Sequence, residues 1–375
     1  MKYYLLAGEA SGDLHGANLA NAICKIDSNA QLQGWGGERM QHAGVKLTKH
    51  YKELAFMGFI EVISNIRTIQ KNFKISKQDI LSFKPDVLIL IDYPGFNLRM
   101  AKWAKENNLR VVYYISPQVW AWKEKRVLKV KKYVDRMLVI LPFEKAFYHS
   151  WGIEVDYVGH PLIEAIEDYQ SKAETDITDS LVNSKNKKII ALLPGSRKQE
   201  ILAKLPIMLQ ASNHFPDYDF VVAKAPGMDE HFYDTLLEPF PNVRYTSNKT
   251  YDLLSKATSA CVTSGTATLE TALFGVPEVV CYKGNPLSYF IAKLLIKIKY
   301  ICLVNLIMDK AVVKELIQHE YTVENLSREL KEILENNNRI SQIQSDYKLL
   351  REKLTAGGHA SNNAADIIYK LISEK

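Results

Sequence analysis

One pattern constrains the fold of this chain more than any other: short, nearly unbroken apolar runs, each ending in a small or polar turn and followed by a helical stretch. The runs are Tyr3–Ala7, Gln31–Gly34, Val87–Ile91, Val111–Ile115 and Arg136–Leu141, then Lys188–Leu193, Phe220–Ala223, Val243–Tyr245, Ala260–Val262 and Glu278–Tyr282. A strand that is apolar at successive positions must be covered on both faces, and strands separated by helices pair in parallel. The expected class is therefore α/β, with doubly wound parallel sheets. A chain of 375 residues has room for two such domains, each with its own core. The polar, then lysine-rich stretch from Asp168 to Lys187 is the expected boundary, giving domains 1–168 and 188–375. From Val312 onward the pattern reads as helices only, at Val312–His319, Val323–Asn336, Arg339–Leu354 and His359–Ser373. The last of these is a candidate to cross back to the first domain.

Ligands of parallel sheets gather beyond the carboxyl ends of the strands. Glu9, Asp92, Ser116 and Glu144 all sit at such ends in the first half. In the second half the sequence Thr263–Pro277 reads as a strand end, a small-residue turn at Ser264-Gly265-Thr266, and a helix stopped by Gly275 and Pro277. Free N–H groups and two hydroxyls meet there at the positive end of the helix, a natural seat for a diphosphate. Glu270 lies one turn further in, where its carboxylate is able to accept from both hydroxyls of a ribose, about 1.5–3 kcal/mol for each charge-assisted bond. Arg197, at the tip of the Pro194-Gly195-Ser196-Arg197 loop, is able to neutralise the same diphosphate. The residues alone equally allow an ordinary capped helix with a solvated glutamate. The Gly8–Asp13 loop has neither the GxGxxG nor the GxxxxGK[ST] spacing, so its spacing alone marks only a turn.

Composition narrows the partners. Hydrophobic residues at 47% and charged residues at 24% describe a globular protein. A net charge of +6 is a mild basic bias, suited to phosphates or anionic headgroups, and no nucleic-acid-binding motif is present. Cys24, Cys261, Cys281 and Cys302 lack metal spacing and are expected as reduced core residues of a cytoplasmic protein. The N-terminus enters a strand pattern directly, without a signal-peptide pattern, and no apolar run reaches the roughly eighteen residues of a spanning helix. Between Met57 and Lys77, Val62, Ile63, Ile66, Ile69 and Phe73 share one helical face, and Arg67, Lys71, Lys74 and Lys77 charge the rest. Such a helix either packs on its own sheet or lies on an anionic membrane, each cation adding about 1 kcal/mol. Leu287–Ile301, with Tyr289, Phe290, Leu294, Leu295 and Ile298 among lysines, has the same character.

Several segments in order resemble one family, the lipid-A-disaccharide synthases. They are GEASGD (Gly8–Asp13), GGERM (Gly36–Met40), MGFIEV (Met57–Val62), IDYPGFN (Ile91–Asn97) and YYISPQVWAWKEKRV (Tyr113–Val127). LPFEKAFY (Leu141–Tyr148), VGHPL (Val158–Leu162), LLPGSRKQEI (Leu192–Ile201), SGTATLE (Ser264–Glu270) and the NL of Asn305–Leu306 complete the series. The resemblance implies a GT-B architecture, two Rossmann-like domains facing a cleft. It also implies an inverting, metal-independent glycosyltransferase without a cofactor. The implied donor is UDP-2,3-diacylglucosamine and the implied acceptor 2,3-diacylglucosamine 1-phosphate. By the same resemblance Asp92 is the base, with Asp13 or His15 as weaker candidates, and Glu9, Ser11 and Gly12 position substrates. Arg197, Ser264, Gly265 and Thr266 bind the diphosphate, Glu270 the ribose, and Asn305 lies near the donor. Acylated substrates give the basic apolar stretches a reason: peripheral binding at the cytoplasmic face of the inner membrane. Gly95 stands where many relatives carry a second aspartate, and Val304 where a proline often precedes the asparagine. A UDP-N-acetylglucosamine 2-epimerase shares the two-domain plan and the Ser-Gly-Thr…Glu site but has no use for lipid-facing helices. A non-catalytic binding protein is expected to have lost Asp92, Arg197 or Glu270, and all three are present.

Overall fold

A computed structural model describes residues 1–53, 66–121, 124–173, 187–225, 227–285, 289 and 298–374. The chain forms two compact units, Met1–Glu164 with Leu354–Lys375, and Ala165–Lys353.

The first unit is built on seven strands: β1 (Lys2–Ala7), β2 (Gln31–Gly36), β3 (Lys46–His50), β4 (Val87–Ile91), β5 (Val111–Tyr114), β6 (Arg136–Val139) and β7 (Asp156–Tyr157). They pair in parallel in the order β3-β2-β1-β4-β5-β6-β7. Successive side chains serve opposite faces. Tyr3, Leu5 and Ala7 join Val87, Ile89 and Ile91 under helix α1 (Ala10–Ile26) and the C-terminal helix Ala360–Ser373. Tyr4, Leu6, Leu88 and Leu90 point the other way, under the helices Ile66–Phe83, Pro94–Glu106, Val127–Tyr133 and Pro142–Ser150. Ala360, Ala364, Ala365, Ile368 and Ile372 are all buried in the first of these cores, so the last helix is part of the unit that holds the N-terminus.

The second unit carries β8 (Lys188–Leu193), β9 (Tyr218–Lys224), β10 (Val243–Ser247), β11 (Ala257–Thr263), β12 (Glu278–Tyr282) and β13 (Lys314–Ile317). Their order is β10-β9-β8-β11-β12-β13, again all parallel. In their own numbering the sheets run 3-2-1-4-5-6-7 and 3-2-1-4-5-6, with the direction of winding reversing between strands one and four in each.

Four expectations change. Lys314–Ile317 is a strand, not part of a helix from Val312 to His319: its apolar residues were too few to fix a period, and pairing with β12 decided the conformation. β3 and β7 carry no long apolar run because each is a short, half-exposed edge strand. Helix α1 begins at Ala10 rather than Leu14, so the Gly8–Asp13 loop is mostly first helical turn. Cys24 is exposed on α1, whereas Cys261, Cys281 and Cys302 are buried as expected.

Candidate active site

In the first unit the reversal point lies between β1 and β4, where Ala7 stands beside Ile91. Glu9 follows the first strand and Asp92 the second, so both carboxylates leave the sheet at the place where α/β proteins open a crevice. Asp92 and Tyr93 take left-handed conformations, with φ of 44° and 48°. Such geometry costs a non-glycine residue on the order of 1 kcal/mol or more, and the surroundings over-determine it. The Asp92 carbonyl accepts from Tyr113 Oη at 2.6 Å and from Asn97 Nδ2 at 2.8 Å, and its N–H donates to the Tyr114 carbonyl at 3.0 Å. Burial first, then the negative charge of Glu9, raise the Asp92 carboxyl to about 6; a bond from the Tyr93 N–H opposes them. A carboxylate with that affinity for a proton is suited to general-base work near neutral pH. Asn97 and Tyr113 were not singled out from the sequence, although Asn97 closes the IDYPGFN segment.

Ser11 is exposed in the first turn of α1, beside the free N–H groups of the helix start. Gly12 is buried and faces the sheet, where a Cβ would lie 3.1 Å from the Ala7 Cβ, so close packing favours glycine here. Asp13 is excluded as a base. Its buried carboxylate accepts from the N–H groups of Gly37 (2.6 Å), Met40 (3.0 Å) and Arg39 (3.2 Å), capping helix α2 (Glu38–His42) from a distance. Burial lowers His15 to about 4. Ser116 and Glu144 are also turned inward: Ser116 Oγ lies 2.8 Å from Tyr148 Oη, and Glu144 accepts from the Leu141 N–H and Trp120 Nε1. Burial raises Glu144 to about 7.

In the second unit the reversal point lies between β8 and β11, and a cavity of about 310 Å³ opens there. Gly195 and Ser196, Ser264 to Ala267, and Glu270 line it, so the loop after each of the two central strands reaches the same space. Gly265 is the N-cap of the helix Thr266–Leu273, and both Gly265 and Thr266 are exposed to the cavity mouth. Glu270 accepts from Tyr251 Oη at 3.1 Å. Its carboxyl is raised by burial, with the Tyr251 bond opposing the shift. Tyr251 in turn packs in a three-ring cluster with Tyr169 and Phe274, at ring distances of 5.4 and 5.2 Å.

Two residues of the expected set, Arg197 and Asn305, are not among those lining the cavity, and a third, Ser264, lines it with its hydroxyl already engaged. The Arg197 side chain is 67% exposed, 3.8 Å from Glu200 Oε1, and does not line the cavity. Lys224 does line it, only 11% exposed and 3.1 Å from Glu230; nothing in its sequence context marked it. Ser264 lines the cavity but commits its hydroxyl proton to the Ile301 carbonyl at 2.9 Å. Asn305 is buried, with Nδ2 donating to the Val313 carbonyl and Glu315 and Oδ1 accepting from the Val313 N–H. Its amide is engaged inside the protein, and it is not among the residues lining the cavity described above.

Of the basic stretches, Ile63 and the side chains of Ile66 and Arg67 lie outside the described residues, as does most of Leu287–Ile301. Lys71 and Lys74 are exposed and Ile69 is half-buried. Phe73 is the correction: its ring stacks on Phe96 at 4.0 Å against the unit's own core, so it is an anchor of the helix and not a lipid-facing side chain. No described helix is long and apolar enough to cross a membrane.

Two parallel sheets that share the winding 3-2-1-4-5-6, the first with a seventh strand at its edge, and candidate residues at both reversal points define the class: an enzyme of GT-B architecture. The glycotransferase of kitacinnamycin matches with a TM-score of 0.66 and 13% identity, covering 99% of either chain. UDP-GlcNAc 2-epimerase from Neisseria meningitidis, solved with UDP-GlcNAc bound, matches at 0.65 and 14% identity over 100% of both. At such identities the likeness shows the fold alone, and it does not choose between transfer and epimerisation. Sequence does. Residues 3–370 match the lipid-A-disaccharide synthetase family. The lipid-A-disaccharide synthase of Syntrophus aciditrophicus is 41% identical over 377 residues, covering 99% of this chain and 97% of that one. That of Geobacter metallireducens is 37% identical over 376 residues, with the same coverage of 99% and 97%. The chain belongs to the lipid-A-disaccharide synthase family and is a glycosyltransferase of lipid A biosynthesis.

Proposed function

We propose that the chain transfers 2,3-diacylglucosamine from UDP-2,3-diacylglucosamine to the 6-hydroxyl of 2,3-diacylglucosamine 1-phosphate. The observation that carries this reading is the cavity at the reversal point of the second sheet, where the Ser264–Thr266 helix start and Glu270 line one wall. The helix start receives the donor diphosphate through its N–H groups and dipole, and Glu270 accepts from the ribose hydroxyls. Lys224 adds positive charge to the same cavity, taking the part expected of Arg197.

Asp92 removes the proton of the acceptor hydroxyl as its oxygen attacks the anomeric carbon. The bond from that carbon to the diphosphate breaks, UDP leaves with the electron pair, and the configuration inverts to give a β-1,6 bond. The N–H groups at the helix start stabilise the charge that develops on the leaving diphosphate. Glu9 raises the proton affinity of Asp92, and in this reading it also orients the acceptor. Lys71 and Lys74, exposed on the helix Ile66–Phe83, contact anionic headgroups at the cytoplasmic face of the inner membrane, where acylated substrates reside.

The test is a mass-spectrometric assay with both acylated substrates. Disaccharide 1-phosphate and UDP in equal amounts support the reading. No disaccharide, with UDP-N-acetylglucosamine epimerised instead, refutes it.

A further inference from the structure

The strand that sequence reading took for a helix carries a carboxylate with no task in the scheme above. Glu315, on β13, accepts at Oε1 from the N–H groups of Ile301 (3.1 Å) and Cys302 (3.0 Å) and from Asn305 Nδ2 (3.0 Å). Its Oε2 also lies 3.1 Å from the Ile301 nitrogen. Cys302 is the N-cap of the helix Leu303–Met308, so the carboxylate satisfies two successive N–H groups at a helix start that has no side-chain cap of its own. Asn305 closes the brace, since the same amide bonds both polar groups of the Val313 backbone, two residues before Glu315.

The other side of this segment faces the donor loop. The Ile301 carbonyl accepts from Ser264 Oγ at 2.9 Å, and Ser264 directly precedes Gly265, the N-cap of the cavity helix. Ile301 is thus gripped twice, through its N–H by Glu315 and through its carbonyl by Ser264. We propose that Glu315 is a positioning residue of the donor site: it fixes the Ile301 carbonyl, which fixes the rotamer of Ser264 and the loop whose N–H groups receive the diphosphate. The inference rests on the donor reading given above. It assigns the Ser264 hydroxyl to holding the loop open in one shape, and leaves the backbone to bind the anion.

The test is calorimetric titration with UDP, alongside thermal melts. Wild type comes first, and failure to bind UDP would refute the donor reading itself. With wild-type binding established, Glu315→Gln replaces one accepting oxygen by a donor facing other donors. Its UDP affinity is expected to fall about tenfold, within the coupling found for residues sharing one hydrogen-bond network. In a Ser264→Ala background, where the link is already cut, adding Glu315→Gln is expected to weaken UDP binding by no more than about twofold. A UDP affinity within twofold of wild type, whatever the melting temperature, makes Glu315 a structural cap only and overturns the proposal. A full tenfold loss in the Ser264→Ala background overturns it too. Should Glu315→Gln not fold, Glu315→Asp keeps the charge, withdraws the carboxylate by one methylene, and is judged by the same two criteria.

Discussion

Replacing Asp92 by asparagine is expected to make the protein more stable and far less active. In the folded chain Asp92 holds its proton up to about pH 6, against 3.8 for a free side chain. The native state therefore binds the proton more tightly than the unfolded chain does. Between those two values stability falls as pH rises, and the cost is complete above about pH 6. At about 1.4 kcal/mol per pH unit the displacement amounts to roughly 3 kcal/mol at pH 7 as a ceiling. Asparagine carries no titrating proton, keeps an oxygen for the Tyr93 N–H, and tolerates the positive φ at this position better than most residues. Asp92→Asn should therefore melt several degrees above wild type at pH 7.5, with the gain vanishing below about pH 4. Loss of the general base should lower turnover by about 10²–10⁴-fold. The disaccharide assay run from pH 4.5 to 8 adds a second constraint. The wild-type rate should rise with pH around 6. Because Glu9 is the second cause of the shift and burial the first, Glu9→Gln should move that limb down by no more than about one pH unit. A variant that melts lower and loses activity would mean that Asp92 is structural. Turnover within threefold of wild type would remove it as the base.

Five further outcomes follow. Gly8→Ala puts a Cβ 2.3 Å from the Tyr93 ring, so the residue next to Asp92 must move; thermal melts should show a loss of about 1–3 kcal/mol, and turnover should fall at least tenfold. Tyr251→Phe removes the bond that opposes the upward shift of Glu270, which raises that carboxyl further; UDP affinity, measured by calorimetry, should therefore fall more steeply in the variant than in wild type as the pH is lowered. Reversing Lys71 and Lys74 together to glutamate should cut flotation with anionic vesicles by roughly thirtyfold or more at constant stability. Phe73→Ala should leave flotation within about twofold and instead cost about 2 kcal/mol of stability, since its ring packs on Phe96. Removing the chain after Leu354 strips Ala364, Ala365 and Ile368 from the first core, and limited proteolysis should then find the first unit open and the second protected.

The sequence by itself determined the strands that are apolar on both faces, from Tyr3–Ala7 to Glu278–Tyr282, because a strand covered by helices on either side has nowhere to put a polar residue. It also determined where the candidate site residues stand, since Gly265 and Glu270 are fixed to one helix start by local geometry, and Asp92 to the end of one strand. What it left open was whatever depends on a distant partner. β13 is a strand only because β12 offers it an edge, and Asp13 is a cap only because the fold carries α2 to it. Phe73 fits a membrane-facing or a core-packed helix alike until Phe96 lies against it. Lys224 and not Arg197 lines the cavity because the direction of a long side chain is set by its neighbours and not by its place in a loop. The raised proton affinity of Asp92 belongs to the same class. It comes from burial and from Glu9, more than eighty positions away in sequence and brought to the same end of the sheet by the pairing of β1 with β4. Local periodicity and turn chemistry are written in neighbouring residues; contacts, burial and charge proximity exist only once the chain has closed on itself.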